Sequence, residues 1–379
     1  MLFPDETRTQ LQRARWFRNR ATGAVSHKLA EVLPHKLTVR REFDLTTATM
    51  FDEVEIVPFE EVLNSAERAL GAAQMRDDRM GLDQYMRAYE DVLTAAIEDA
   101  WNPAKFKVVL HSSGWDTRII SALVRDIYER RGDEWLGDVL FACFGGEGLA
   151  FRAVMEREGW DRWQYFNHID YEAYFDRCTN FEKVGAHANH LQSFALDFYY
   201  VMVRELQRLG LVSKDDNEIQ IWTGYWGTYM DRGTGGKRFI EWLERLYHSN
   251  QVLGLYTVDD AQDAFGDYRF VRFVLENRAP VGGSIRKAWL TRHDPELSAI
   301  ERTQPIDHTP SVPGRLVQRT VDDYRRSWYG QHVAPGAESC ACATPIRNRP
   351  WWTWWTRAAM CEYLLGQGYE LTEAGVTNG

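Results

Sequence analysis

The spacing of apolar and polar residues changes character along the chain. Residues 1–40 are rich in Arg and Lys, and Leu11, Ala14 and Phe17 fall on one face of an amphipathic helix. Residues 51–58, Phe-Asp-Glu-Val-Glu-Ile-Val-Pro, read as a short strand stopped by Pro58. Two helices follow, over 59–74 and 83–101. In the first, Glu60, Glu61 and Glu67 mark the wet side, and Val62, Leu63, Ala66 and Leu70 the apolar one. From 105 the rhythm alternates, with strands over 106–110, about 137–144, about 163–169 and 219–224. Helices lie between them, over 117–130, about 148–158 and 186–209. Strands separated by helical patterns predict an α/β fold, a parallel sheet with right-handed crossovers and helices on its faces. Beyond 240 the pattern is helical, broken at Pro280 and between Pro305 and Pro313. Three segments result: an N-terminal extension (1–100), an α/β domain (101–300) and a helical, Trp-rich C-terminal extension (301–379).

The centre of this pattern is the stretch from Lys105 to Ile120. Phe106 to Leu110 is a short apolar run rich in β-formers, as expected of a strand covered on both faces. Ser112, Ser113 and Gly114 make a turn of small residues, and Ile119, Ile120, Ala122, Leu123 and Ile127 have helical spacing. A turn ending at a helix N-terminus presents backbone N–H groups and the positive end of the dipole, which suits a phosphate. Ligands of parallel sheets bind beyond the carboxyl ends of the strands, and Ser112 and Thr223 share that rim. Gly145-Gly146-Glu147-Gly148 follows the second strand, as a close approach to a ligand or as a plain βα loop.

Composition narrows the function classes. A chain of 379 residues, 44% hydrophobic, can bury a sizeable core. A net charge of −10 argues against sequence-independent binding of nucleic acid. No apolar run approaches the roughly 20 residues that span a bilayer, so no membrane association is expected. The acids in Met1-Leu2-Phe3-Pro4-Asp5-Glu6 do not suit a signal peptide, so a cytoplasmic protein is expected. The five cysteines are irregularly spaced, and Cys340-Ala-Cys342 lacks zinc-knuckle spacing; free thiols are expected. Trp351-Trp352-Thr353-Trp354-Trp355 cannot all face one side of a helix, which leaves a protein partner, a lid or a homo-oligomer open for some of them.

The wording of the central turn adds a resemblance. Ser112-Ser113-Gly114-Trp115-Asp116-Thr117 resembles the pyrophosphate (PP) loop, Ser-Gly-Gly-x-Asp-Ser, of the ATP pyrophosphatase, or adenine nucleotide alpha hydrolase, superfamily. With Arg118 following, it is similar to the asparagine synthetase-like branch. Three later segments resemble that branch in order: the strand and Gly-rich turn at 138–148, Ile219-Gln-Ile-Trp-Thr-Gly-Tyr-Trp-Gly-Thr-Tyr against "LTGEGGDE", and Leu275-Glu276-Asn277-Arg278-Ala279-Pro280 against "LExRxP". The resemblance covers about 100–300 and implies an AMP-forming ligase that adenylates a carboxylate with ATP and passes it to an amine or ammonia. It implies that Ser112, Ser113, Gly114, Asp116 and Thr117 hold pyrophosphate, and that Phe144, Gly145 and Gly224 contact the nucleotide. It also implies magnesium (Mg2+), on Asp116 and on the acid that closes the family's later segment.

Four departures qualify what is implied. Leu2 stands where the amidotransferases of the family carry a nucleophilic cysteine, so glutamine hydrolysis in cis is not expected. Thr228 occupies the place of the acid in "GGDE"; a hydroxyl is a weak magnesium ligand, and Asp231 is the nearest carboxylate that could replace it. No lysine stands at the late catalytic position, where Arg302 or Lys287 could supply charge or could be surface residues. Ser113 replaces the first glycine, a mild change at negative φ and a serious one otherwise. His111 reads either as a base or as a core or capping histidine. Loss of the acid at 228 also admits a second function, a binding or assembly module that keeps the fold without turnover.

Overall fold

The computed structural model describes residues 16–26, 29–41, 49–58, 61, 80–144, 148–166, 195–224, 227, 260–277, 279–280, 284–301, 322–336 and 350–374. All of the predicted helix over 59–74 except residue 61, the first nine residues of 186–209, the loop at 233–237 and the breaks around 281–283 and 305–313 lie outside them, as do the side chains of Trp351 to Trp355.

The N-terminal part supplies β1 (Phe17–Asn19), β2 (Val25–Ser26), β3 (Lys36–Val39) and β4 (Val54–Ile56). Helix α1 (Leu82–Ala100) follows, then β5 (Phe106–Leu110), α2 (Trp115–Arg131), α3 (Asp133–Leu136), β6 (Val139–Phe144), α4 (Gly148–Glu158) and β7 (Trp163–Phe166). Next come α5 (Ala195–Arg208), β8 (Ile219–Thr223), β9 (Ala261–Asp263), α6 (Tyr268–Glu276), α7 (Ile285–His293) and α8 (Pro295–Ala299). The chain closes with α9 (Trp328–His332), α10 (Pro350–Gly366) and β10 (Glu370–Glu373).

Strands β5 to β9 form one parallel sheet in the order β7-β6-β5-β8-β9. Val108 pairs with Leu140 on one side and with Ile221 on the other, so β5 is the central strand. Val108, Val109 and Leu110 are buried, as are all five residues of β8, so both strands are covered on both faces, and the polar Lys107 and Gln220 are buried with them. The first two crossovers step outward from β5 in one direction, and β8 then returns to its other edge. That reversal opens a crevice between the carboxyl ends of β5 and β8, where such sheets bind ligands. Helix α2 packs against α1, α4 and α7. Tyr85, Met86, Tyr89, Leu93, Ala96 and Ile97 give α1 one buried face, and Tyr85 and Tyr89 meet Phe273 and Phe270 of α6.

The strand expected at 51–58 and the helix expected at 83–101 are present as β4 and α1, and the C-terminal part carries α9 and α10, but the helix expected around Leu11, Ala14 and Phe17 does not extend to Phe17. Phe17 lies in β1, within an antiparallel sheet β2-β1-β4, and is fully buried there. Strand β10 pairs in parallel with β3, joining the two ends of the described chain. Both pieces are short: β1 has 3 residues and β10 has 4, too few to show a period. The fifth strand of the main sheet, β9, was hidden in the same way, because Ala-Gln-Asp carries no apolar run. No described helix is long and apolar enough to cross a membrane. Cys143 and Cys361 are buried and are not in disulfides.

Candidate functional site

The turn after β5 folds back on the helix that it opens. Thr117 Oγ1 donates to the Gly114 carbonyl at 3.2 Å and accepts from the Ser112 N–H at 3.3 Å. Gly114 is the N-cap of α2, with extended φ of −73° and no side-chain cap, so the first turn of this 17-residue helix is left to backbone donors. Ser113 has φ of +29°, a left-handed conformation that favours glycine. The position that holds glycine in the resembled loop therefore demands a glycine-like backbone here too, and the serine carries strain. Its N–H donates to His111 Nδ1 at 3.2 Å, and its buried Oγ has no partner among the described residues.

A second rim segment lies directly against this turn. A Cβ on Gly224 would stand 3.0 Å from the Asp116 carbonyl carbon and 3.1 Å from Thr117 N. A Cβ on Gly227 would overlap Asp116 Oδ1. Only glycine lets the chain leaving β8 approach the first turn of α2 so closely. Thr223, the last residue of β8, donates from Oγ1 to Asp263 Oδ2 at 2.9 Å and so ties β8 to β9 at the same end of the sheet.

Helix α7 brings two cations to this place. Arg286 Nη1 donates to Asp116 Oδ1 in an ion pair whose side chains are only 11% and 13% exposed. The Lys287 ammonium lies 5.8 Å from the centre of the Trp115 ring, a cation–π contact at the start of α2.

Beneath the turn runs a buried polar chain. His111 Nε2 faces Ser121 Oγ at 3.3 Å, and Ser121 Oγ lies 2.8 Å from Glu158 Oε1, whose other oxygen accepts from Trp160 Nε1 at 2.8 Å. Burial, reinforced by the charge of Arg118, pushes the His111 pKa down to about 3, so the imidazole is neutral at pH 7. Because Nδ1 accepts from Ser113, the proton sits on Nε2 and points at Ser121. His111 is thus a core residue that holds the turn and is shut off from solvent. Burial pushes Glu158 up to about 8, against the lowering effect of its hydrogen bonds and of Arg125 and Arg118. Arg118 is fully buried: Nε donates to the Ser113 carbonyl at 2.8 Å, and Nη1 to the carbonyls of Leu297 and Ile300 at 2.9 and 2.8 Å.

Ser112, Ser113, Gly114, Asp116, Thr117 and Gly224 are therefore gathered at the β5–β8 switch point, with Lys287 beside them. Phe144 closes β6, the next strand of the sheet, where its backbone pairs with Phe166. Gly145, Asp231 and Arg302 lie outside the described residues. One oxygen of Asp116, the residue to which the resemblance assigns magnesium, is engaged by Arg286 and lies against Gly227. Arg286, Gly227, Ser121 and Glu158 were missed from sequence; the one available signal was the pair of basic residues in the first turn of α7, where the dipole disfavours them. No protein-family model matches the chain, and no curated protein does.

Proposed function

We propose that the chain binds ATP at the 112–117 turn and is an asparagine synthetase-like, AMP-forming ligase. A carboxylate oxygen attacks the α-phosphorus, the bond to the bridging oxygen breaks, and pyrophosphate leaves. An amine or ammonia then attacks the acyl carbon, and AMP departs. Charge grows on pyrophosphate in the first step, and the backbone donors that open α2 are placed to receive it. Positioning both substrates beyond the same strand ends contributes the rest. The observation that carries this reading is the location of the Ser-Ser-Gly-Trp-Asp-Thr turn at the sheet's switch point, with the glycines after β8 pressed against it.

The Asp116–Arg286 pair favours a second reading, a nucleotide-binding module without turnover. Incubation with ATP, magnesium and a panel of carboxylates and amines separates the two. Ligase activity gives AMP and pyrophosphate in equal amounts. Nucleotide binding without either product supports the module, and no binding at millimolar ATP sinks both.

A further inference from the structure

We infer that Glu158 is a positioning residue of the nucleotide seat, a buried acid that acts through Ser121 and His111 on the Ser113 amide, so that ATP binding and protonation of Glu158 favour each other. This coupling rests on the reading of 112–117 as an ATP turn. The acid and the turn are joined by hydrogen bonds from Glu158 Oε1 to Ser121 Oγ at 2.8 Å, from Ser121 Oγ to His111 Nε2 at 3.3 Å, and from His111 Nδ1 to the Ser113 N–H at 3.2 Å. All four residues are buried. Ser121 has one hydroxyl proton and two lone pairs. Its oxygen lies 3.2 Å from the Arg118 carbonyl as well as 2.8 Å from Glu158. One proton serves one of these acceptors, and a protonated Glu158 supplies the other. The lone pairs of Ser121 then accept the Glu158 O–H and the His111 Nε2–H. That leaves His111 Nδ1 bare to hold the amide of the residue with φ of +29°.

Loss of the Glu158 proton swings the Ser121 hydroxyl from the Arg118 carbonyl to the carboxylate and places a negative charge beneath the turn. A polyphosphate on the turn and an ionised Glu158 repel each other through the protein interior, where screening is weak. Burial raises the acid to about 8, although Ser121, Trp160, Arg125 and Arg118 all pull it down. Of the elements packed on α4, α2 brings those two arginines, β6 brings Cys143 and β7 brings Tyr165. Helix α8 brings Glu296 and its N-cap Asp294, both paired with Arg157 of α4. His111 stays neutral, because its own pKa is about 3. Phosphate on the turn raises the Glu158 pKa further. ATP affinity is therefore full below about pH 8, falls as pH rises through that value, and levels off above the pKa of the complex; binding in this window takes up part of a proton.

Calorimetric titration of the full chain with ATP and magnesium, at about pH 7 and about pH 9 in two phosphate-free buffers of different ionisation enthalpy, tests this. Wild-type affinity should fall by about fivefold between the two pH values, the effect of a rise of about one unit in the Glu158 pKa on binding. Glu158→Gln keeps a donor to Ser121 and cannot ionise; it should match the wild type at the lower pH and hold its affinity at the higher. Near the Glu158 pKa, the wild type should also take up more proton on binding than the variant. The titration of ATP itself, and that of Lys107, lowered to about 8 by burial, are common to both proteins and cancel. Parallel pH profiles, or a variant weakened by the same factor at both pH values, overturn the inference and leave the ATP reading standing. No binding by the wild type at either pH overturns both. If Glu158→Gln does not fold, infrared difference spectra of the wild type decide: ATP added near the Glu158 pKa should strengthen the protonated-carboxyl band, and no gain overturns the inference.

Discussion

Glu158 is the sharpest handle on the layer under the turn, and Glu158→Gln is the perturbation. The carboxyl lies at the C-terminal end of α4, where the helix dipole disfavours negative charge, and is only 6% exposed. As a neutral acid it completes the chain: Trp160 Nε1 donates to one oxygen, the acid proton goes to Ser121 Oγ, and Ser121 in turn donates to the Arg118 carbonyl. Glutamine keeps that arrangement, with its amide N–H in place of the acid proton. The folded pKa is raised from 4.5 to about 8, so the unfolded chain loses its proton first as pH rises. The stability that neutral Glu158 confers is therefore full below pH 4.5, falls between 4.5 and 8, and is flat above. At roughly 1.4 kcal/mol for each pH unit the ceiling on this loss is about 5 kcal/mol. Local relaxation brings the expected value to a few kcal/mol. His111 runs the other way, stabilising above about 6.5 and less so as pH falls towards 3, but it is present in both proteins and cancels in their difference. Urea unfolding followed by tryptophan fluorescence at about pH 5 and about pH 9 reads the effect. The two proteins should agree within about 1 kcal/mol at the lower pH, with the glutamine variant ahead by a few kcal/mol at the higher. A difference that does not change with pH would refute a neutral Glu158.

Two further substitutions probe the turn itself. Ser113→Gly relieves the positive φ of 29° and should raise stability by up to about 1 kcal/mol in the same urea assay, because strain relief exceeds the added freedom of the unfolded chain; a loss of more than about 1 kcal/mol would show that the serine is not strained. Arg118→Met removes the donors to the carbonyls of Ser113, Leu297 and Ile300 and should destabilise by about 3 kcal/mol or more, whereas a cost under about 1 kcal/mol would mean that this buried guanidinium does not tie the turn to α8.

The parts of the fold that could be read in advance are those built on long periodic runs. The β5–α2 unit, β6, β8 and α1 were legible because burial on both faces of a strand, or on one stripe of a helix, leaves a composition that no loop shares. Strands β1, β9 and β10 were not, because pieces of three or four residues are held by their neighbours' hydrogen bonds and not by their own pattern. At the candidate site the turn was legible through its small residues, but the partner of Asp116 was not. Arg286 lies 170 residues away, and only the packing of α7 on α2 brings it to the carboxylate. The His111–Ser121–Glu158 chain was hidden for the same reason: Ser121 and Glu158 are 37 residues apart and each reads alone as an ordinary helix position.

The proposed function requires ATP to be held by the 112–117 turn at the β5–β8 switch point. Hydrogen–deuterium exchange of the full chain, with and without saturating ATP, tests it most directly by locating the ligand instead of only detecting it. Exchange is expected to slow at the backbone amides from Ser112 to Thr117 and at Gly224, with the far ends of the same strands unchanged. Protection elsewhere in the chain with none at these amides, or no protection at all, would contradict it.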